Sequence, residues 1–216
     1  TMWGDDGCET NHFFSLYALA IFSEFCYVGE GCTEEEIISI SEFVVGMKDT
    51  AYQAFSALHM PIKYVDGRVS EERMGKRLFY TDILYNFTGN IEVYRTNKQI
   101  YADAYHTLKN NLSSNDKWQK FYNYAAIIFE ILMIKCDIIT TIRDAYKKED
   151  KEILKHLAED ILPNLIQRYQ AHMKIYQELW FETYKAFGWE VINGRYGIII
   201  VRLEYAIERI SNYVNG

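Results

Sequence analysis

Trp3-Gly4-Asp5-Asp6 sets an indole two residues from a carboxylate. An indole face packs on the C–H face of a pyranose while a carboxylate accepts from two adjacent hydroxyls, so Trp3, Asp5 and Asp6 suit a carbohydrate subsite. The same letters also spell a Gly-Asp-Asp-Gly turn, and the residues alone leave both readings open. Glu9-Thr10-Asn11-His12 has the Glu-x-x-His spacing that puts a carboxylate and an imidazole on one helix face, as di-iron bundles require. Such bundles need a second pair and two more carboxylates, and only Asp103 with His106 comes near, so no metal and no cofactor is expected. Cys8 beside His12 resembles a nucleophile pair, but no cysteine signature surrounds it. It reads as an ordinary helix N-terminus.

The elements that position these residues are helical. Between Phe121 and Ile142 only Glu130, Lys135 and Asp137 carry charge, and a helix apolar on every face has to be wrapped by others. Residues such as Tyr124, Ile128, Phe129, Leu132 and Ile139 therefore form the centre of a core. The hairpin from Asp116 to Phe187, joined at Lys147 to Asp150, organises an all-α bundle. Its second arm carries Leu154, Leu165, Tyr169, His172 and Tyr176 on one face, and Pro163 should kink it or divide it in two. Before the hairpin come a helix from Glu9 to Tyr27 stopped by Gly29, and a short one opened by the capping box Thr33 to Glu36 and closed by Gly46. Asp49 caps a third. Lys63 to Asn97 is irregular, with a short helix from Ser70 to Leu84, and Lys98 to Leu112 is helical again. Trp189 to Ile192 reads as a brief extended piece before a terminal helix from Arg195 to Val214.

At 216 residues, 49% hydrophobic and 25% charged, the chain has the composition of an ordinary soluble domain. Its net charge of −7 disfavours a nucleic-acid backbone or an anionic membrane as partner. The four cysteines lack CxxC spacing and read as reduced thiols. No signal peptide is visible, and the most apolar run, Tyr124 to Ile134, falls short of the ~20 residues a bilayer crossing needs. A cytoplasmic protein is expected.

Thr1 to Gly7 reads as the end of a strand opening into an acidic loop, with no partner strand following. A lone strand cannot satisfy its backbone groups, so residues 1–8 are expected to be the remnant of a sheet encoded upstream, and 9–216 a C-terminal helical domain. Met2 to Glu9, Leu78 to Leu84, Glu178-Leu179-Trp180, Phe187 to Ile192, Arg195-Tyr196-Gly197 and Arg202-Leu203-Glu204 together resemble one family. It is the C-terminal helical region of a bacterial branch of the family 20 glycoside hydrolases, the β-N-acetylhexosaminidases.

That resemblance implies a (β/α)8 barrel with its active site at the C-terminal ends of the strands. It also implies substrate-assisted retention, in which the acetamido oxygen is the nucleophile, in place of the two-carboxylate scheme. The family's general acid belongs to an adjacent Asp-Glu pair, and no such dipeptide occurs in this sequence. The resemblance thus implies no catalytic residue in the chain, a catalytic barrel N-terminal to it as partner, and a terminal N-acetylhexosamine as substrate. Trp3 and Asp5 match the family's Trp-x-acid motif on the last barrel strand, with Asp where better-known members have Glu, leaving open which of Asp5 and Asp6 reaches the sugar. Tyrosines at Tyr101, Tyr105, Tyr122, Tyr146, Tyr169, Tyr176 and Tyr184, with two long hairpin arms, suggest a homodimer. A free-standing helical interaction module is the alternative.

Overall fold

The computed structural model describes residues 11–64, 67–112 and 117–216 of the chain. Trp3, Asp5, Asp6, Cys8, Glu9 and the strand remnant expected at residues 1–8 lie outside them. The fold is the expected all-α bundle. Its centre is α6 (Gln119–Lys147), flanked by α5 (Ile91–Asn110), α8 (Leu162–Thr183) and the short α4 (Met74–Tyr80). Tyr124, Phe129, Ile131 and Leu132 of α6 have no exposed surface, as a helix apolar all round demands.

The hairpin turn falls where the charge cluster placed it. Glu149 adopts a left-handed φ of 54°, and the Asp150 carboxylate accepts from the Ile153 amide at 3.1 Å to open α7 (Lys151–His156). The arm divides as expected at Pro163, into α7 and α8 (Leu162–Thr183). Lacking an N–H, Pro163 cannot bond the carbonyl of Glu159; a π-helical turn from Leu157 to Ile161 widens the coil so that the Leu162 amide reaches the Leu157 carbonyl, and α8 continues from there.

Around this hairpin lie α1 (Leu16–Val28) and α2 (Glu34–Val45), packed on each other, then α3 (Asp49–Ser56) against α5. The capping box opens α2 as expected: the Glu36 amide donates to Thr33 Oγ1 at 3.3 Å and the Thr33 amide to Glu36 Oε2 at 2.9 Å. The helix expected from Ser70 is half wrong. Val69–Arg73 is a strand, β2, paired antiparallel with β1 (Pro61–Lys63), and the helix is α4 alone. The helix expected from Lys98 starts earlier, at Ile91, because Asn90 Oδ1 accepts the Glu92 amide at 2.8 Å.

Two further expectations need correction. Trp189 to Ile192 is not extended: it is the first turn of α9 (Trp189–Asn215), opened where Gly188 takes φ 95° and the Glu190 carboxylate bonds the Gly188 amide at 2.9 Å. The β-branched Val191 and Ile192 disguise that start. The tyrosines assigned to an interface are largely internal, since Tyr101, Tyr122, Tyr169 and Tyr176 are buried in this chain's own core, while Tyr146 is exposed. A phenol offers the interior a large apolar body, so aromatic richness alone does not locate a surface.

Candidate functional site

The chain enters the bundle through a small polar tie. Asn11 is buried, its Nδ2 donating to Thr183 Oγ1 at 2.9 Å, while its Oδ1 accepts the Phe13 amide at 3.0 Å and so caps a short 3-10 turn, His12–Ser15. The Tyr184 hydroxyl accepts the His12 amide at 2.6 Å and donates to Asn11 Oδ1 at 3.3 Å. The residues that follow Trp3, Asp5 and Asp6 are therefore fixed to the C-terminal end of α8.

Behind this tie lies an aromatic cluster that joins two of the blocks singled out in the sequence. Trp180 packs on Tyr184 with ring centroids 4.8 Å apart and on Trp189 at 6.0 Å, and Tyr176 meets Trp189 edge-on at 5.8 Å. Trp180 Nε1 donates to the Lys185 carbonyl at 2.8 Å. Gly188 is required here twice over: its φ is left-handed, and a Cβ would come within 3.2 Å of the Trp180 ring.

Three further blocks, Leu78 to Leu84, Arg195 to Gly197 and Arg202 to Glu204, also converge. Tyr169 donates its hydroxyl to the Phe79 carbonyl, and the Lys135 ammonium donates to the carbonyls of Phe79, at 3.0 Å, and Thr81. His172 Nδ1 and the Tyr196 hydroxyl share a hydrogen bond of 2.6 Å, and the imidazole stacks on Tyr124 at 4.7 Å. Burial pulls Lys135 down to about 7, partly offset by the charge of Asp82. It pulls His172 down to about 3, against a smaller opposing bond from the Tyr124 backbone. The same desolvation holds the phenols of Tyr124 and Tyr169 well above their ordinary range.

At the edge of this knot Asp82 accepts two bonds from Arg202, one from Nε at 2.7 Å and one from Nη2, and the Arg195 guanidinium lies over the Tyr80 ring at 5.9 Å. Tyr80 and Asp82 are thus held by α9. Lys135 and His172 have no exposed surface, so neither can exchange a proton with a bound substrate; both fasten the Phe79 to Asp82 segment to the bundle. Lys135, one of only three charged residues between Phe121 and Ile142, was the sequence signal for this knot. The tie from Asn11 to Thr183 left no signal, being carried by common residues far apart.

His12 places its ring edge-on to Tyr184, Asp103 accepts from Gln99 at 2.8 Å, and His106 packs beside Tyr105. Among the described residues no group of three or more His, Cys, Asp or Glu side chains could hold a metal ion. No helix among them is long and apolar enough to cross a membrane. Compared with known proteins, residues 51–216 match the family described as the glycoside hydrolase 20C C-terminal domain. No curated protein matches the chain.

Proposed function

The chain belongs to the glycoside hydrolase 20C C-terminal domain family, and on that premise we propose that it is the helical, non-catalytic portion of an enzyme that removes terminal β-linked N-acetylhexosamine by substrate-assisted retention. The observation that carries this reading is the family match beside the missing Asp-Glu dipeptide. A C-terminal domain of a glycoside hydrolase implies a catalytic domain in the same polypeptide, which sets the free-standing module aside.

In this reading residues 1–8 are the end of the last barrel strand and 9–216 the helical domain, which contains all of the matched region. Trp3 and either Asp5 or Asp6 bound the terminal-sugar subsite, and the tie of Asn11 and His12 to Thr183 and Tyr184 supports it by fixing the chain that follows them. Docking on the catalytic domain is supported by α1 and α2, which precede the matched residues and expose Phe22, Phe25, Phe43 and Val44. Large apolar side chains left exposed on two helices that pack together suit a covered face. A homodimer and a cytoplasmic location complete the proposal.

The test is kinetic, in the full-length protein. Loss of a charged hydrogen bond costs roughly 1.5 to 3 kcal/mol, so Asp5→Ala should lower kcat/KM on an aryl β-N-acetylglucosaminide by about 10- to 100-fold, and Trp3→Ala comparably through lost stacking. If both variants keep wild-type kcat/KM, the segment is only a turn.

A further inference from the structure

The turn between α8 and α9 is braced by three hydrogen bonds of its own. The Trp180 indole N–H donates to the Lys185 carbonyl at 2.8 Å, the Trp189 amide to the Ala186 carbonyl at 3.2 Å, and the Gly188 amide to the Glu190 carboxylate at 2.9 Å. Gly188 supplies the left-handed backbone, and Trp189 and Ile192 are buried. Of the block from Phe187 to Ile192, only two side chains have no part in this construction. Phe187, within the turn, is 89% exposed, and Val191, at the start of α9, is 53% exposed. Phe181, whose ring lies 6.1 Å from that of Trp189, is 49% exposed.

A single apolar side chain in water is ordinary. Phe187 differs because its backbone is held from both sides and two more large apolar side chains are exposed at the same turn. Much of the ordering cost of binding is already met in a braced turn, and aromatic rings are enriched where interfaces are driest. The arrangement is that of an anchor presented to a partner.

Its place in the fold identifies the partner. Thr183 and Tyr184 carry the tie to Asn11 and His12. Phe187 follows Tyr184 by three residues, so their Cα atoms are at most about 11 Å apart. The chain therefore enters the bundle beside Phe187. A C-terminal domain follows its catalytic domain in the polypeptide, and in the reading above that domain ends at residue 8, within about 11 Å of Asn11 by the same measure. The catalytic domain thus approaches the bundle at this turn.

We propose that Phe187, with Phe181 and Val191 beside it, is the anchor by which the α8–α9 turn docks in an apolar pocket on the catalytic domain of the same polypeptide. This rests on the domain order in the proposed function and adds a second contact to that of α1 and α2, where the chain crosses from one domain to the other.

Photocrosslinking of the full-length protein tests it. With p-benzoylphenylalanine at position 187, irradiation should give an intramolecular crosslink that joins a peptide of this turn to one of the catalytic domain. Phe187→Asp should lower the Tm of the full-length protein by about 2 to 4 °C or more, and Phe187→Leu by less, since leucine still fills an apolar pocket. A covalent dimer would assign the ring to a second copy, and a crosslink confined to the helical domain, or none at all, would leave the catalytic domain out; each overturns the proposal. So would a Tm that Phe187→Asp does not move. Hydrolysis of an aryl β-N-acetylglucosaminide by the wild type, measured alongside, separates this from the proposed function: an inactive protein that forms the expected crosslink overturns that function and keeps the anchor, and an active one that does not form it overturns the anchor alone.

Discussion

His12 donates its backbone N–H to the phenolic oxygen of Tyr184 at 2.6 Å across 172 positions of the chain. With the bond from Asn11 to Thr183 beside it, this fixes the first described residues to the end of α8. The entry to the bundle thus has one register relative to the aromatic cluster of Trp180 and Trp189.

Tyr184→Phe should therefore destabilise the fold by about 1 to 3 kcal/mol, because the His12 amide loses its acceptor in a partly buried place. Urea unfolding of the variant measures this directly. A variant as stable as wild type would mean that water replaces the hydroxyl without cost.

Gly188→Ala combines a left-handed φ with a Cβ only 3.2 Å from the Trp180 ring. The strained backbone alone costs roughly 1 to 3 kcal/mol, and the ring must also shift. The expected result is a lowered Tm together with a changed tryptophan fluorescence spectrum, since Trp180 and Trp189 are both in the cluster. An unchanged spectrum at lower Tm would locate the strain in the backbone only.

His172 makes stability depend on pH in a defined direction. Its folded-state value lies near 3, below the 6.5 of a free imidazole, so between those limits the unfolded chain binds a proton that the folded chain refuses. Stability from this group is complete above pH 6.5 and falls by about 1.4 kcal/mol for each unit of acidification within the window. Urea titrations between pH 5 and 7, where most carboxylates stay ionised, should show this slope in the wild type and its loss in His172→Gln. Equal slopes in the two proteins would show that His172 is protonated in place.

Much of the architecture was legible in the letters because it rests on local periodicity and capping. The apolar run of α6, the Thr33 capping box and the charged turn at Glu149 each state their structure within a few residues. The errors lie where a longer-range effect decides. Val191 and Ile192 favour a strand by type, but the left-handed Gly188 and the packing of Trp189 on Trp180 start a helix there. Pro163 did mark the division of the arm, but the π turn that joins its two helices has no signature of its own in the letters. Of the candidate site, Tyr80 and Asp82 were visible as letters; their attachment to Arg195 and Arg202 depends on the bundle bringing together segments more than a hundred residues apart. Trp3, Asp5 and Asp6 were legible only as an indole beside carboxylates, a pattern that a turn and a sugar subsite share.

In the proposed function, catalysis resides outside this chain and needs the catalytic domain of the same polypeptide. The most direct measurement is hydrolysis of an aryl β-N-acetylglucosaminide by the full-length protein and by the rigorously purified 216-residue chain, side by side. A general acid typically contributes on the order of 10²- to 10⁴-fold, so the full-length protein should turn the substrate over and the chain should show no turnover above buffer. Turnover by the chain that disappears when one of its own residues is mutated would contradict it.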